Sequence, residues 1–265
     1  MIRPSGAIMR SALAISGILL ALAPWSAGAE QLASHSVLYS AVARGAPQGV
    51  RIDATTKTWT LQSCQKWTMW MITSFSMQAN RRKIMQRTEI KTDEGVSDFV
   101  TQISYRSVGD LGNEQRKFDA IVPTEDARSR IAPERVGTSR RAVLPLETLP
   151  PKQATDRLIE ELRNGSSKFS IAAVDPMAPG AWSRTDFEVI DKWPYAERPL
   201  PQAVVSQLVG RHWYVKLTAA FDKGEETSYM EVYENGIVTR MTLNLAPIVV
   251  DLTAAKLVLI EPEGC

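Results

Sequence analysis

The 265-residue chain is 44% hydrophobic and 23% charged, an ordinary globular composition that excludes a disordered or collagen-like polypeptide. It carries 31 basic and 29 acidic residues, a net charge of +2. Two of the bases, Arg3 and Arg10, lie in a leader expected to be removed, which leaves 29 of each sign and no global electrostatic reason to seek nucleic acid or an anionic membrane surface.

Residues 1–29 have the layout of a secretory signal peptide. Arg3 and Arg10 form the positive start, residues 11–22 an apolar run (SALAISGILLAL), and Ala27-Gly28-Ala29 a small-x-small cleavage pattern that would make Glu30 the new N-terminus. The run is about a dozen residues, short of the roughly 20 that a spanning helix needs. The most apolar later stretch, 243–260, is broken by Asn244, Pro247, Asp251 and Lys256. The expected product is a periplasmic protein with no transmembrane segment after cleavage and a single domain over residues 30–265.

Most of that domain reads as strands. Residues 36–43 alternate around Val37, Tyr39 and Ala41, and 58–63 place Trp59 and Leu61 on one face. Residues 67–77, rich in Trp, Met, Ile, Thr and Phe, then 83–91, 99–107, 113–120 and 141–144 also read as extended, with a turn at Asp93-Glu94-Gly95. One helix interrupts the series, about 151–164. Pro150-Pro151 presets its first turn, Ala154, Leu158, Ile159 and Leu162 form a narrow apolar stripe, and Asn164-Gly165 stops it. Strands resume at 168–175 and 182–190, followed by a proline-rich connection from Trp193-Pro194 to Leu200-Pro201, and then at 213–221. Residues 227–233 and 237–245 flank Asn235-Gly236, whose residue types accept the positive φ of a tight hairpin. Residues 249–260 close the series. Many antiparallel strands with one helix predict a mainly β fold, an antiparallel meander curled into a barrel or spiral so that few edges stay exposed.

Cys64 and Cys265 are the two cysteines. In an oxidising compartment an even count suggests a disulfide, which would close a loop of about 200 residues. Two free thiols are the alternative. A reactive thiol needs a basic or helix-N-terminal setting, and Glu261 and Glu263 lie close to Cys265. With His35 and His212 the cysteines make no zinc spacing, so no metal is expected.

Several landmarks form a set: Ala33-Ser34-His35 opening a strand that contains Tyr39; Trp59 to Ser63-Cys64 followed by Trp67; the helix introduced by Leu149-Pro150; the hairpin Tyr233-Glu234-Asn235-Gly236-Ile237; and a closing segment 257–265 that ends on the second Cys. Together they resemble the EipB family of periplasmic cell-envelope integrity proteins of alphaproteobacteria, over essentially the mature chain. The resemblance implies an antiparallel β-spiral, or open β-barrel, with a disulfide from Cys64 to Cys265, a role in envelope integrity under stress, a periplasmic protein partner of the tetratricopeptide-repeat class, and no established enzyme activity or cofactor.

Catalytic patterns are thin. His35 is expected at the periphery and His212 in a turn leading into a strand. A set of Ser206, His212 and Asp222 is conceivable, but no Gly-x-Ser-x-Gly elbow accompanies it. Asp186, Glu188 and Glu231, the candidates for paired carboxylates, are expected to face solvent on strands. No calcium loop or Gly-rich phosphate loop is present. Arg81-Arg82-Lys83 and Arg140-Arg141 read as solvated loops, with an acidic partner or lipid headgroup as the alternative. On a strand, Trp67, Met69 and Met71 would share one face and Trp70 the other. Such soft and aromatic side chains suit a core, or an apolar groove for an acyl chain, a glycan or a peptide. The expected function is therefore a non-enzymatic binding or scaffold protein of the envelope. The competing readings are a lipid or lipoprotein carrier with an apolar groove and, less favoured, an envelope hydrolase using His212.

Overall fold

A computed structural model describes residues 34–46, 50–63, 66–79, 82–95, 100–110, 112–121, 130–135, 138–139, 142–143, 145, 147–175, 182–221, 224–245 and 248–261. The leader, Cys64, Cys265, Arg81, Arg140, Arg141 and Asp222 lie outside the described residues.

The described residues form fifteen strands. β1 (Ser34–Arg44), β2 (Val50–Gln62), β3 (Lys66–Ala79), β4 (Arg82–Gly95), β5 (Val100–Gly109), β6 (Glu114–Ile121), β7 (Arg130–Arg135), β8 (Thr138–Ser139) and β9 (Ala142–Val143) precede helix α1 (Pro151–Arg163). β10 (Lys168–Val174) and β11 (Trp182–Ile190) lead to a short helix α2 (Gln202–Val205), and β12 (His212–Phe221), β13 (Gly224–Tyr233), β14 (Val238–Leu245) and β15 (Ile248–Ile260) follow. All pairings between these strands are antiparallel, in the order β10-β11-β12-β13-β14-β15-β1-β2-β3-β4-β5-β6-β7-β8, with β9 against β7. Each neighbour in that path is the next strand in sequence except at β15–β1, where the two ends of the chain meet in the middle of the sheet. The path begins at β10 and ends at β8 without joining them, so the sheet is open, as the family resemblance implies.

Helix α1 explains how an open sheet of this length acquires a core. Its stripe, Ala154, Leu158, Ile159 and Leu162, is buried among Val37 and Tyr39 of β1, Phe187 of β11, Val215 and Leu217 of β12, Met230 and Val232 of β13, and Leu252 of β15. Local chemistry sets its ends. Pro150 and Pro151 begin it, and Gly165 at φ 80° ends it, with Gly165 N donating to Leu162 O (3.2 Å) and Ser166 N to Glu161 O (3.0 Å), the paired bonds of a Schellman stop. Tyr39 Oη donates to Val238 O at 2.7 Å, tying β1 to β14 across the interior.

The structure departs from the sequence reading in several places. Asp93-Glu94-Gly95 is not a turn but the end of β4, paired with Lys66–Thr68 on β3. Its acids tolerate a strand because their partners lie across it: Thr68 Oγ1 donates to Asp93 at 2.7 Å, and Lys66 and Lys91 approach at 3.0 and 2.9 Å. β2 starts at Val50, well before 58, because its inward positions are filled by Ala54, Thr56 and Thr60 rather than by large aliphatics. β7 was hidden by Pro133, tolerated near the end of the sheet, where strands are short. The proline-rich connection carries the extra helix α2 and buries Trp193. His35 is not peripheral but buried in β1, between β15 and β2.

The Asn235-Gly236 hairpin exists, but its loop has three residues. Tyr233 N donates to Ile237 O (2.9 Å), Gly236 N to Tyr233 O (2.7 Å), and a bulge at Glu231/Val232 restores the register. Gly236 has φ 76°. Gly236→Ala is therefore expected to cost about 1–2 kcal/mol, read as a shift in urea midpoint at unchanged slope.

Candidate functional site

The inner face of β3–β5 carries the side chains singled out for a groove. Trp67, Met69 and Met71 point the same way and are buried, opposite Glu94, Thr92 and Ile90 of β4. Ile103 and Tyr105 of β5 complete an apolar wall that lies apart from the main core around α1. Trp70 points outward, as the alternation requires. It stacks on Trp59 (centroids 4.6 Å apart), donates its indole N–H to Glu89 (2.8 Å), and Lys57 lies 4.2 Å over the Trp59 ring.

Where this wall meets the helix, the buried Glu94 takes up a helix-terminal amide. Lys152 N donates to Glu94 Oε2 at 3.0 Å, which supplies the cap that Pro150 cannot. One turn on, Lys152 Nζ pairs with Asp156 at 2.7 Å, while Asp156 Oδ1 is buried with no hydrogen-bond partner. Burial pushes both carboxyls up to about 7, against the opposing pull of Lys152. Because their folded values exceed their unfolded ones, the stability they contribute is complete below about pH 4 and is lost as pH rises to 7. Glu94→Gln keeps an acceptor for the amide and cannot ionise. Its stability relative to wild type is expected to rise between pH 5 and 8 by at most about 3 kcal/mol in denaturant titrations. A constant difference across that range would refute the protonated Glu94.

The second buried polar group lies on the outer face, under the strap 191–201. Glu231 is not solvent-facing: its side chain is 3% exposed, because the strap covers the sheet from outside. Arg240, directly across on β14, donates to Glu231 Oε2 at 2.7 Å and to Arg198 O at 3.0 Å, and Thr239 Oγ1 donates to the same carboxylate at 2.6 Å. Arg44 grips Asp251 Oδ2 through Nε (3.0 Å) and Nη2 (2.7 Å), and Arg198 Nη2 donates to Ser40 O, Asp251 O and Thr253 Oγ1. Trp193 packs beside Tyr195, Tyr214 and Tyr229. This network was missed from sequence, although a signal existed: counting outward from Asn235-Gly236 places Glu231 opposite Arg240.

Asp222 lies outside the described residues, and among the described candidates no hydrogen bond joins Ser206 to His212. His212 begins β12 rather than lying in a turn, because it pairs with Tyr233 of β13. Its ring contacts Tyr214 and Tyr233, and its Nε2 stops 3.9 Å from Glu231 Oε1, beyond hydrogen-bond reach. Burial, and then the Glu231 charge, push Tyr233 up to about 12 and raise Tyr214, so both phenols are neutral donors at neutral pH. Ser206 Oγ donates to Ala203 O within its own helical turn. Asp186 is exposed on β11 and receives a hydrogen bond from Ser170, and Glu188 pairs with Lys168 at 2.6 Å. Among the described residues no group of three or more His, Cys, Asp or Glu could hold a metal ion, and no helix is long and apolar enough to cross a membrane.

No family model matches the chain, and no curated protein does. The architecture is that of a beta-barrel-like protein, an antiparallel sheet curled round a helix and left open. Among solved structures it is similar to a beta-barrel-like protein of domain of unknown function DUF1849 from Brucella abortus, with a TM-score of 0.72 and 14% identity over 87% of this chain and 99% of that one. At that identity the likeness concerns the fold.

Proposed function

We propose that the chain is a periplasmic, non-enzymatic protein that binds or scaffolds a partner in the cell envelope and supports its integrity under stress, as the EipB resemblance implies. The observation that supports the reading is the sheet itself, which curls round α1 and is similar in fold to the beta-barrel-like Brucella protein. Part of the same proposal is a disulfide between Cys64 and Cys265. β2 and β15 leave the sheet on either side of Ser34, with Gln62 N donating to Ser34 Oγ at 2.9 Å and Ser34 paired with Ile260.

The test is recovery of the protein from its native envelope after crosslinking, with N-terminal sequencing. A periplasmic product beginning at Glu30, crosslinked to one protein such as a tetratricopeptide-repeat partner, is expected. A cytoplasmic product with residues 1–29 intact would overturn the reading. The lipid or lipoprotein carrier stands as a second reading because of the apolar wall of Trp67, Met69 and Met71. It predicts co-purifying lipid in mass spectra, lost on Met69→Asp with the fold retained.

A further inference from the structure

We propose that the outward face of β2–β5 docks the protein on an anionic phospholipid surface. The near-neutral total charge conceals a strong asymmetry. Arg51 and Asp53 on this face pair with each other at 3.2 Å. The remaining outward positions carry six cations, Lys57, Lys66, Lys83, Arg87, Lys91 and Arg106, against two carboxylates, Glu89 and Asp93. Lys66 and Lys91 share Asp93, Glu89 is held by the Trp70 indole, and Lys57 rests on Trp59. Lys83, Arg87 and Arg106 make no ion pair with a described residue. Asp110, just beyond β5, is occupied by the Met85 amide at 2.8 Å.

The other half of the sheet behaves differently. On β10–β12 the outward cations each face an acid: Lys168 and Lys216 approach Glu188 at 2.6 and 3.7 Å, and Arg184 approaches Asp186 at 3.9 Å. Among the described residues the unpaired cations thus lie on β2–β5 rather than on β10–β12.

Apolar side chains are interleaved with the unpaired cations. Met85 is 54% exposed between Lys83 and Arg87, Val108 is 42% exposed directly opposite Arg87, and Leu61 is 39% exposed at the other end. Long basic side chains round exposed aliphatic groups match a bilayer boundary, where ammonium and guanidinium groups meet phosphates and the aliphatic groups enter the headgroup layer. Charge complementarity selects anionic over zwitterionic lipid, because each basic residue adds attraction only to a negatively charged surface.

The test is co-sedimentation of the signal-free chain with vesicles of phosphatidylglycerol and phosphatidylcholine in equal parts, against phosphatidylcholine alone. Binding to the mixed vesicles only, falling as salt is raised, is expected. The triple variant Lys83→Ser, Arg87→Ser, Arg106→Ser, whose sites are solvent-facing and should leave the melting temperature in place, is expected to bind on the order of a hundredfold more weakly. Met85→Ser is expected to weaken binding further at constant salt. Equal binding to both vesicle types, no binding to either, or a triple variant that binds as wild type would overturn the proposal. No binding to either vesicle type would favour an acidic protein as the occupant, and a triple variant that binds as wild type would place lipid binding elsewhere on the molecule. If the triple variant folds poorly, the single variants Lys83→Ser, Arg87→Ser and Arg106→Ser, each expected to bind about fivefold more weakly, carry the same test. None of these outcomes depends on export or on the proposed envelope partner.

Discussion

Arg240→Ala is expected to lower stability by about 3–5 kcal/mol and the melting temperature by roughly 10 °C. Glu231 is 3% and Arg240 7% exposed at the side chain, and they meet at 2.7 Å. Removing the guanidinium leaves a carboxylate under the strap with the Thr239 hydroxyl as donor and no guanidinium beside it. It also frees Arg198 O and the second carboxylate, Glu197, which reaches Arg240 at 3.4 Å, so the strap loses an anchor. The double variant Glu231→Leu, Arg240→Leu is expected to recover most of the loss, because it removes both desolvation penalties together. A single-variant cost under about 1 kcal/mol in urea unfolding would mean that water reaches the pair.

Reduction of the oxidised, signal-free protein is expected to cost at most about 5 kcal/mol, the chain-entropy figure for a closed loop of about 200 residues. The register makes the bridge attainable. β2 and β15 are separated by one strand, about 10 Å across the sheet, where they flank Ser34. Two residues lead from Gln62 to Cys64 and five from Ile260 to Cys265. At about 3.3 Å per residue that reach exceeds the gap. The bridge would lock the β15–β1 seam, the one pairing that joins the two halves of the meander. Melting curves with and without reductant, and Cys64→Ser beside them, check the point. Coincident curves would remove the disulfide from the account.

Much of the fold was legible. Helix α1 was readable to within a residue because its signals are local: two prolines, a stripe at helical spacing and a Gly that accepts φ 80°. The division of Trp67, Met69 and Met71 from Trp70 followed from the two-residue period of a strand. The polar sites were not legible. Alternation marks two faces of a strand and leaves open which one becomes covered. Glu231 alternates like a solvent-facing residue, and only the strap, arriving from a segment more than 30 residues earlier, makes it buried. Glu94 was read as part of a turn because Asp, Glu and Gly are turn residues in isolation. Its place in β4 depends on Trp67 of β3 and on Lys152 in the first turn of α1, both far from it along the chain.

By itself, the sequence determined an antiparallel series of strands broken by one capped amphipathic helix, because periods of two and of 3.6 residues and turn-forming Gly and Pro act over a few residues. The tertiary structure alone decided that β15 pairs with β1 in the middle of the sheet, that His35, Glu94 and Glu231 lose contact with water, and that unpaired cations gather on one outward face. Each of these follows from contacts between distant segments, and their energetics depend on what covers a side chain rather than on which residues precede and follow it.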